Sequence, residues 1–184
     1  VNLTIDAGLL ADARELGINL SATLELALIE SVKRELGRRW LEENAEAIAA
    51  YKSAIQLGYK TPETRYWLAT LMLENKQIEA GLKELEEVVK EMPRPEVYIS
   101  IGKGYEKLKR DVSAIEAYLK AIEVDPNSSV AYYKLANVYH DQREYTKAKE
   151  AYEKSIAMDP TGKVVNITDA QKKLREVSAK IGSR

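Results

Sequence analysis

The chain has 184 residues, 45% hydrophobic and 31% charged, and its 28 Lys and Arg against 29 Asp and Glu leave a net charge of −1. That balance gives no global pull toward nucleic acid or anionic lipid. The absence of Cys removes disulfides, thiolate metal sites and cysteine nucleophiles, and the single His, His140, has no second member for a triad or zinc cluster. A non-enzymatic protein without cofactor or metal is the expectation. No apolar run approaches the roughly 20 residues of a membrane span, and VNLTIDAGLL lacks the charged start of a signal peptide. The composition therefore predicts a soluble cytoplasmic protein with no membrane partner.

In chain order the first element is a strand. VNLTID alternates apolar Val1, Leu3 and Ile5 with polar Asn2, Thr4 and Asp6, the period of two of a strand with one apolar face. A lone strand leaves its backbone donors and acceptors unpaired, so its mate is expected on a second chain. A short helix over Ala7 to Leu16 then stops at Gly17, and a second helix starts at Ser21. So few residues cannot bury a core alone, and the Leu24, Leu28, Val32 stripe needs a second copy to pack on. Val1, Leu3, Ile5, Leu24, Leu28 and Val32 are thus the expected core of an obligate homodimer.

Strand, helix, helix in VNLTIDAGLLADARELGINLSATLELALIESVKRELGRRWLEENAEAIAAY resembles the ribbon-helix-helix antitoxins of the CcdA type as far as about Tyr51. The resemblance implies an intermolecular ribbon able to enter the DNA major groove. It places Asn2 and Thr4 on the outward face, with backbone amides around Asn19 and Ser21 toward phosphates. Residues 1–60 carry seven Lys and Arg against nine Asp and Glu, which opposes binding to a polyanion.

From Ser21 to Leu57 no proline interrupts a helical pattern, which predicts one continuous helix over 21–57, roughly 55 Å long. Beyond it, Pro62, Pro93, Pro95, Pro126 and Pro160 mark helix junctions, because proline cannot sit inside a helix. Tyr98, Gly102, Tyr105, Ala114, Tyr118, Ala121 and Pro126 recur 34 residues later as Tyr132, Ala136, Tyr139, Ala148, Tyr152, Ser155 and Pro160. Leu68, Ala69, Met72, Gly81, Leu85, Val88 and Pro93 form a degenerate earlier copy, one residue shorter. This pattern resembles the tetratricopeptide (TPR) repeat, in which aromatic side chains wedge against small residues of an antiparallel partner helix. Ala47, Tyr51 and Ala54 supply half a repeat before it, and Thr168 with Gln171 predicts the capped start of a polar closing helix.

The expected fold is therefore mainly α: a ribbon-helix-helix dimerisation domain over 1–44, a TPR solenoid over 45–161 sharing the helix 21–57, and a capping helix within 162–184. Two family patterns meeting on one helix, a start at Val1 and a Gly-Ser-Arg end predict an engineered rigid fusion, with a natural fusion as rival.

The TPR resemblance implies a peptide or protein ligand in a concave groove lined by Tyr66, Thr70, Ile99, Lys103, Tyr133, Asn137 and His140. The Lys, Asn and Arg clamp of chaperone-tail repeats is matched only by Asn137 with Lys103 or Lys134. The tyrosines are read as core wedges, and Lys33, Arg34, Arg38 and Arg39 as a solvated face. Together these readings predict a homodimeric, non-catalytic scaffold. The alternative is a natural DNA-binding regulator or antitoxin with a TPR protein-binding arm.

Overall fold

A computed structural model describes residues 42–58, 60–163 and 165–182. The ribbon and helix positions Asn2, Thr4, Asn19 and Ser21, and the dimer-core set Val1, Leu3, Ile5, Leu24, Leu28 and Val32, lie outside the described residues. The chain divides into two units, Val1–Glu46 and Ala47–Arg184. Among the described residues all regular structure is α-helix. It comprises α1 over 42–56, α2 (Pro62–Glu74), α3 (Ile78–Glu91), α4 (Pro95–Lys107), α5 (Asp111–Val124), α6 (Ser129–Asp141), α7 (Tyr145–Met158) and α8 (Ile167–Gly182).

Helices α2 to α7 form three antiparallel hairpins, α2–α3, α4–α5 and α6–α7, each second helix packing on the first helix of the next, with α8 closing the series on α7. Helix starts follow local chemistry. Thr61 accepts a hydrogen bond from the Thr64 N–H at 3.2 Å with Pro62 in the first turn, and Ser128 accepts from Ala131 N–H at 3.4 Å. At the other end of α1, Ile48 is buried with Tyr51 and Ile55 against Leu68, Leu71 and Met72 of α2.

The turns inside the hairpins repeat a single conformation. Lys76, Lys109 and Arg143 have φ of 61°, 58° and 61°. The next N–H reaches back five residues in each case, Gln77 to Met72, Arg110 to Tyr105 and Glu144 to Tyr139, all at 2.9 Å. This is a helix C-terminus closed by a left-handed residue, a position glycine normally takes.

Of the tyrosines read as core wedges, two sit deep inside the hairpins, and Tyr98, Tyr105, Tyr132 and Tyr139 are only partly buried. Tyr118 and Tyr152 are fully buried, and a Cβ on Gly102 would lie within 2.8 Å of three atoms of the Tyr118 ring. Each hydroxyl is satisfied: Tyr118 donates to Glu106 at 2.5 Å and Tyr152 to Asn137 Oδ1 at 2.7 Å. Burial pushes both phenols above their ordinary range, reinforced at Tyr118 by Glu106 and at Tyr152 by Tyr133 and nearby carboxylates such as Asp169.

The closing helix is capped two residues before the expected Thr168. Asn166 Oδ1 accepts the Asp169 N–H at 3.1 Å, so Asn166 is the cap. The reason lies upstream: the buried carboxylate of Asp159 accepts the N–H groups of Lys163 at 3.1 Å and Val165 at 2.8 Å, which fixes the loop and brings the chain into the helix at Ile167.

Candidate functional site

Pairs four residues apart on α2, α4 and α6 share one face of their helices: Tyr66 with Thr70, Ile99 with Lys103, and Tyr133 with Asn137. The structure brings Tyr66, Ile99 and Lys103 together around one concavity of about 430 Å³, completed by Ser100, Ser128 and Val130, with Glu96 and Asp125 also on its wall. Tyr66 Oη and Ser100 Oγ lie 3.3 Å apart, which joins α2 to α4 across the floor.

Lys103 is the electrostatic focus of this hollow. Burial lowers its ammonium below the usual lysine range, and the like charge of Lys134 adds to the effect. Of the carboxylates that act on it, Glu74 pairs with Lys107 at 3.0 Å and Glu106 accepts the Tyr118 hydroxyl, while Glu96 and Asp125 line the hollow without an ion pair to it. Among the described residues Lys103 therefore has charge near it but no ion pair. An anionic group entering the hollow would supply one.

The other expected groove residues are placed differently. Thr70 donates its hydroxyl to the carbonyl of Trp67 at 2.9 Å, within its own helix. Tyr133 and Asn137 are occupied by α8: the Tyr133 hydroxyl donates to Asp169, and Lys173 Nζ donates to Asn137 Oδ1 at 2.9 Å while pairing with Asp169 at 3.3 Å. His140 stands at the end of α6, with its ring 6.1 Å from Tyr145 and Nδ1 3.5 Å from Asp141.

Nothing in the sequence pattern marks Arg65. It is buried, with Nε 2.5 Å from Glu84 and Nη1 2.7 Å from Glu91, and these carboxylates raise its already high pKa. Its partners lie 19 and 26 residues away, and no local pattern reports such a pairing. The ion pair ties α2 to α3 and stands outside the concavity.

Asp169 yields a pH prediction. The Tyr133 hydroxyl and then Lys173 hold its carboxylate below the usual aspartate range. A depressed carboxylate contributes stability that is complete above the unfolded aspartate value of about 3.9 and disappears as pH falls through the lower folded value. Asp169→Asn is therefore expected to reduce the arm's thermal stability at neutral pH and to flatten its acid-side loss. The check is a melting curve of each variant between pH 7 and pH 3.

Stacked helical hairpins with a concave wall of first helices define a TPR-type protein-interaction solenoid. Sequence comparison agrees and extends to the other end of the chain. Residues 95–128 and 117–150 match tetratricopeptide repeat models, and residues 1–58 match the post-segregation antitoxin CcdA. The chain thus joins a CcdA antitoxin domain to TPR repeats.

No curated protein matches the chain. Among solved structures it is similar to the crystal structure of MamA, with 26% identity over 80% of this chain and 96% of that one, at a TM-score of 0.60. The first TPR of Spaghetti (RPAP3) bound to the HSP90 peptide SRMEEVD shares the fold at 14% identity and a TM-score of 0.60, covering 67% of this chain and 94% of that one. The TPR2B domain of yeast Sti1 in complex with pHsp70 does so at 21% identity and a TM-score of 0.60, covering 65% and 97%. No described helix is long and apolar enough to cross a membrane, and no cluster of three potential metal ligands occurs among the described residues.

Proposed function

We propose that this is a non-catalytic, homodimeric interaction scaffold in which the CcdA-type domain pairs two copies and each TPR arm captures an extended peptide or protein segment on its concave face. The observation that carries the reading is the hollow of Tyr66, Ile99 and Lys103, which offers an aromatic wall, an apolar floor and a half-buried ammonium without an ion pair among the described residues. The peptide-bound TPR folds above support capture of a peptide by the arm. Pairing through Leu24, Leu28 and Val32 is proposed because so short a segment would bury too little apolar surface by itself, and a strand over Val1 to Asp6, as the alternation predicts, would need its mate on a second chain. A helix continuous over 21–57 is the proposed joint, its rigidity the reason the fusion transmits orientation, whether engineered or natural. The acidic balance of residues 1–60 favours this reading over a DNA-binding regulator.

The test uses a phage-displayed library of random heptapeptides panned on the full chain. Enriched peptides are expected to bind with micromolar affinity and to lose about tenfold, roughly 1.4 kcal/mol, on Tyr66→Ala or Lys103→Ala. A library that yields no groove-dependent binder contradicts the reading.

A further inference from the structure

A second, smaller hollow of about 200 Å³ lies between the starts of α2 and α4, with Tyr66, Trp67, Met92 and Val97 in its wall. It is the counterpart, one repeat earlier, of the hollow that holds Lys103. Moving 33 residues along the chain replaces Tyr66 by Ile99, Trp67 by Ser100 and Met92 by Asp125, all of which line the later hollow. Equivalent places on successive repeats thus carry opposite chemistry, apolar in the first and polar in the second. The two hollows adjoin, sharing Tyr66 and Glu96.

Trp67 is the one exposed aromatic ring among the described residues, at 54%. It packs edge-on against Tyr66 with 5.2 Å between centroids, which leaves the rest of the indole open to a ligand. The charged residues of this hollow answer each other, Arg94 standing 3.8 Å from Glu63. What it offers a ligand is therefore apolar surface.

The later hollow sets the sign of a second contact. Lys103 makes no ion pair among the described residues, and the like charge of Lys134 acts on it from α6. Glu96 stands seven residues before Lys103 on α4, roughly 10 Å along the helix axis. Asp125, at the end of α5, lies by that same start of α4 and accepts the Asn127 N–H at 3.0 Å. The carboxylates thus occupy one end of the hollow and the ammonium the other, so an anion at Lys103 is attracted without meeting them.

Spacing ties the two contacts together. Neighbouring helices stand about 8–10 Å apart, and the approach of Tyr66 Oη to Ser100 Oγ at 3.3 Å holds α2 and α4 as neighbours. That distance is three residues of a polyproline-II segment at about 3.1 Å each, in which residues three apart share a face. Building on capture at the concave face, we infer that the ligand is an extended segment with a large apolar side chain and an Asp or Glu three positions apart, the first filling the Trp67 hollow and the second pairing with Lys103.

The heptapeptide library panned on the full chain tests this. Binders are expected to be enriched in a large apolar residue and an Asp or Glu at a separation of three. In a synthetic copy of an enriched peptide, changing the acidic residue to Ala should weaken binding about tenfold to the unaltered chain and under about twofold to Lys103→Ala. Changing the apolar residue should give the same contrast between the unaltered chain and Trp67→Ala, whose half-exposed ring is not part of the helix core. Panning on Lys103→Glu should select Lys or Arg in place of the acidic residue and keep the apolar one. Binders that depend on Tyr66 but lack the pair, or whose contacts ignore these substitutions, overturn the inference and leave capture at the concave face standing. A library with no groove-dependent binder overturns both.

Discussion

Gly102→Ala is expected to destabilise the arm by about 2 kcal/mol, although alanine is the better helix former by about 1 kcal/mol in an exposed helix. The added methyl would sit within 2.8 Å of three ring atoms of Tyr118. That ring cannot retreat, because it is fully buried and its hydroxyl is held by Glu106 at 2.5 Å. The partner change Tyr118→Ala removes a buried aromatic ring and should cost about 3–5 kcal/mol. The informative quantity is the coupling. In the Tyr118→Ala background the methyl enters vacated space, so Gly102→Ala there should be neutral or stabilising, a coupling of about 2–3 kcal/mol. Denaturant unfolding of the four chains measures it. Equal effects of Gly102→Ala in both backgrounds would show that the close approach of helix and ring is not what selects glycine.

The second large effect has the opposite sign. Lys76, Lys109 and Arg143 hold positive φ at three equivalent turns, and a non-glycine residue there carries about 1 kcal/mol of steric cost. Replacing all three by Gly should raise stability by about 1–2 kcal/mol in sum, since the sites lie in different hairpins and add independently. For an arm of this size that is a rise in midpoint of roughly 3–8 °C. The gain is smaller than the steric cost because glycine also loses more chain entropy on folding. Thermal melts of the three single variants and the triple variant check the additivity.

The repeat was legible in the sequence because its constraints are local and recur. Proline ends helices, tyrosine opposes a small residue, and the offset of 34 brings each helix face back into phase. The missing residue in the first full hairpin is visible both in the sequence and in the turns, which fall at Lys76, Lys109 and Arg143. The cost carried at those turns was hidden, because no glycine marks them. Arg65 was equally hidden, its carboxylates being brought to it by hairpin closure and not by spacing.

The column Tyr66, Ile99, Lys103 could be placed by counting along the repeat, whereas the engagement of Tyr133 and Asn137 by α8 could not. The closing helix departs from the repeat pattern, and Asp169 and Lys173 each lie 36 residues beyond their partners. Its cap was misjudged for a related reason. Thr168 with Gln171 and Asn166 with Asp169 both fit a capping pattern, and only the loop clamped by Asp159 distinguishes them.

The claim on which the scaffold depends is that copies pair through the N-terminal domain, with Leu28 in the shared core. Light scattering of the full chain gives the mass directly. An even multiple of 20.7 kDa, halved by Leu28→Asp with concurrent unfolding of the N-terminal domain, is the expected result. A well-folded particle of 20.7 kDa at working concentration would contradict it.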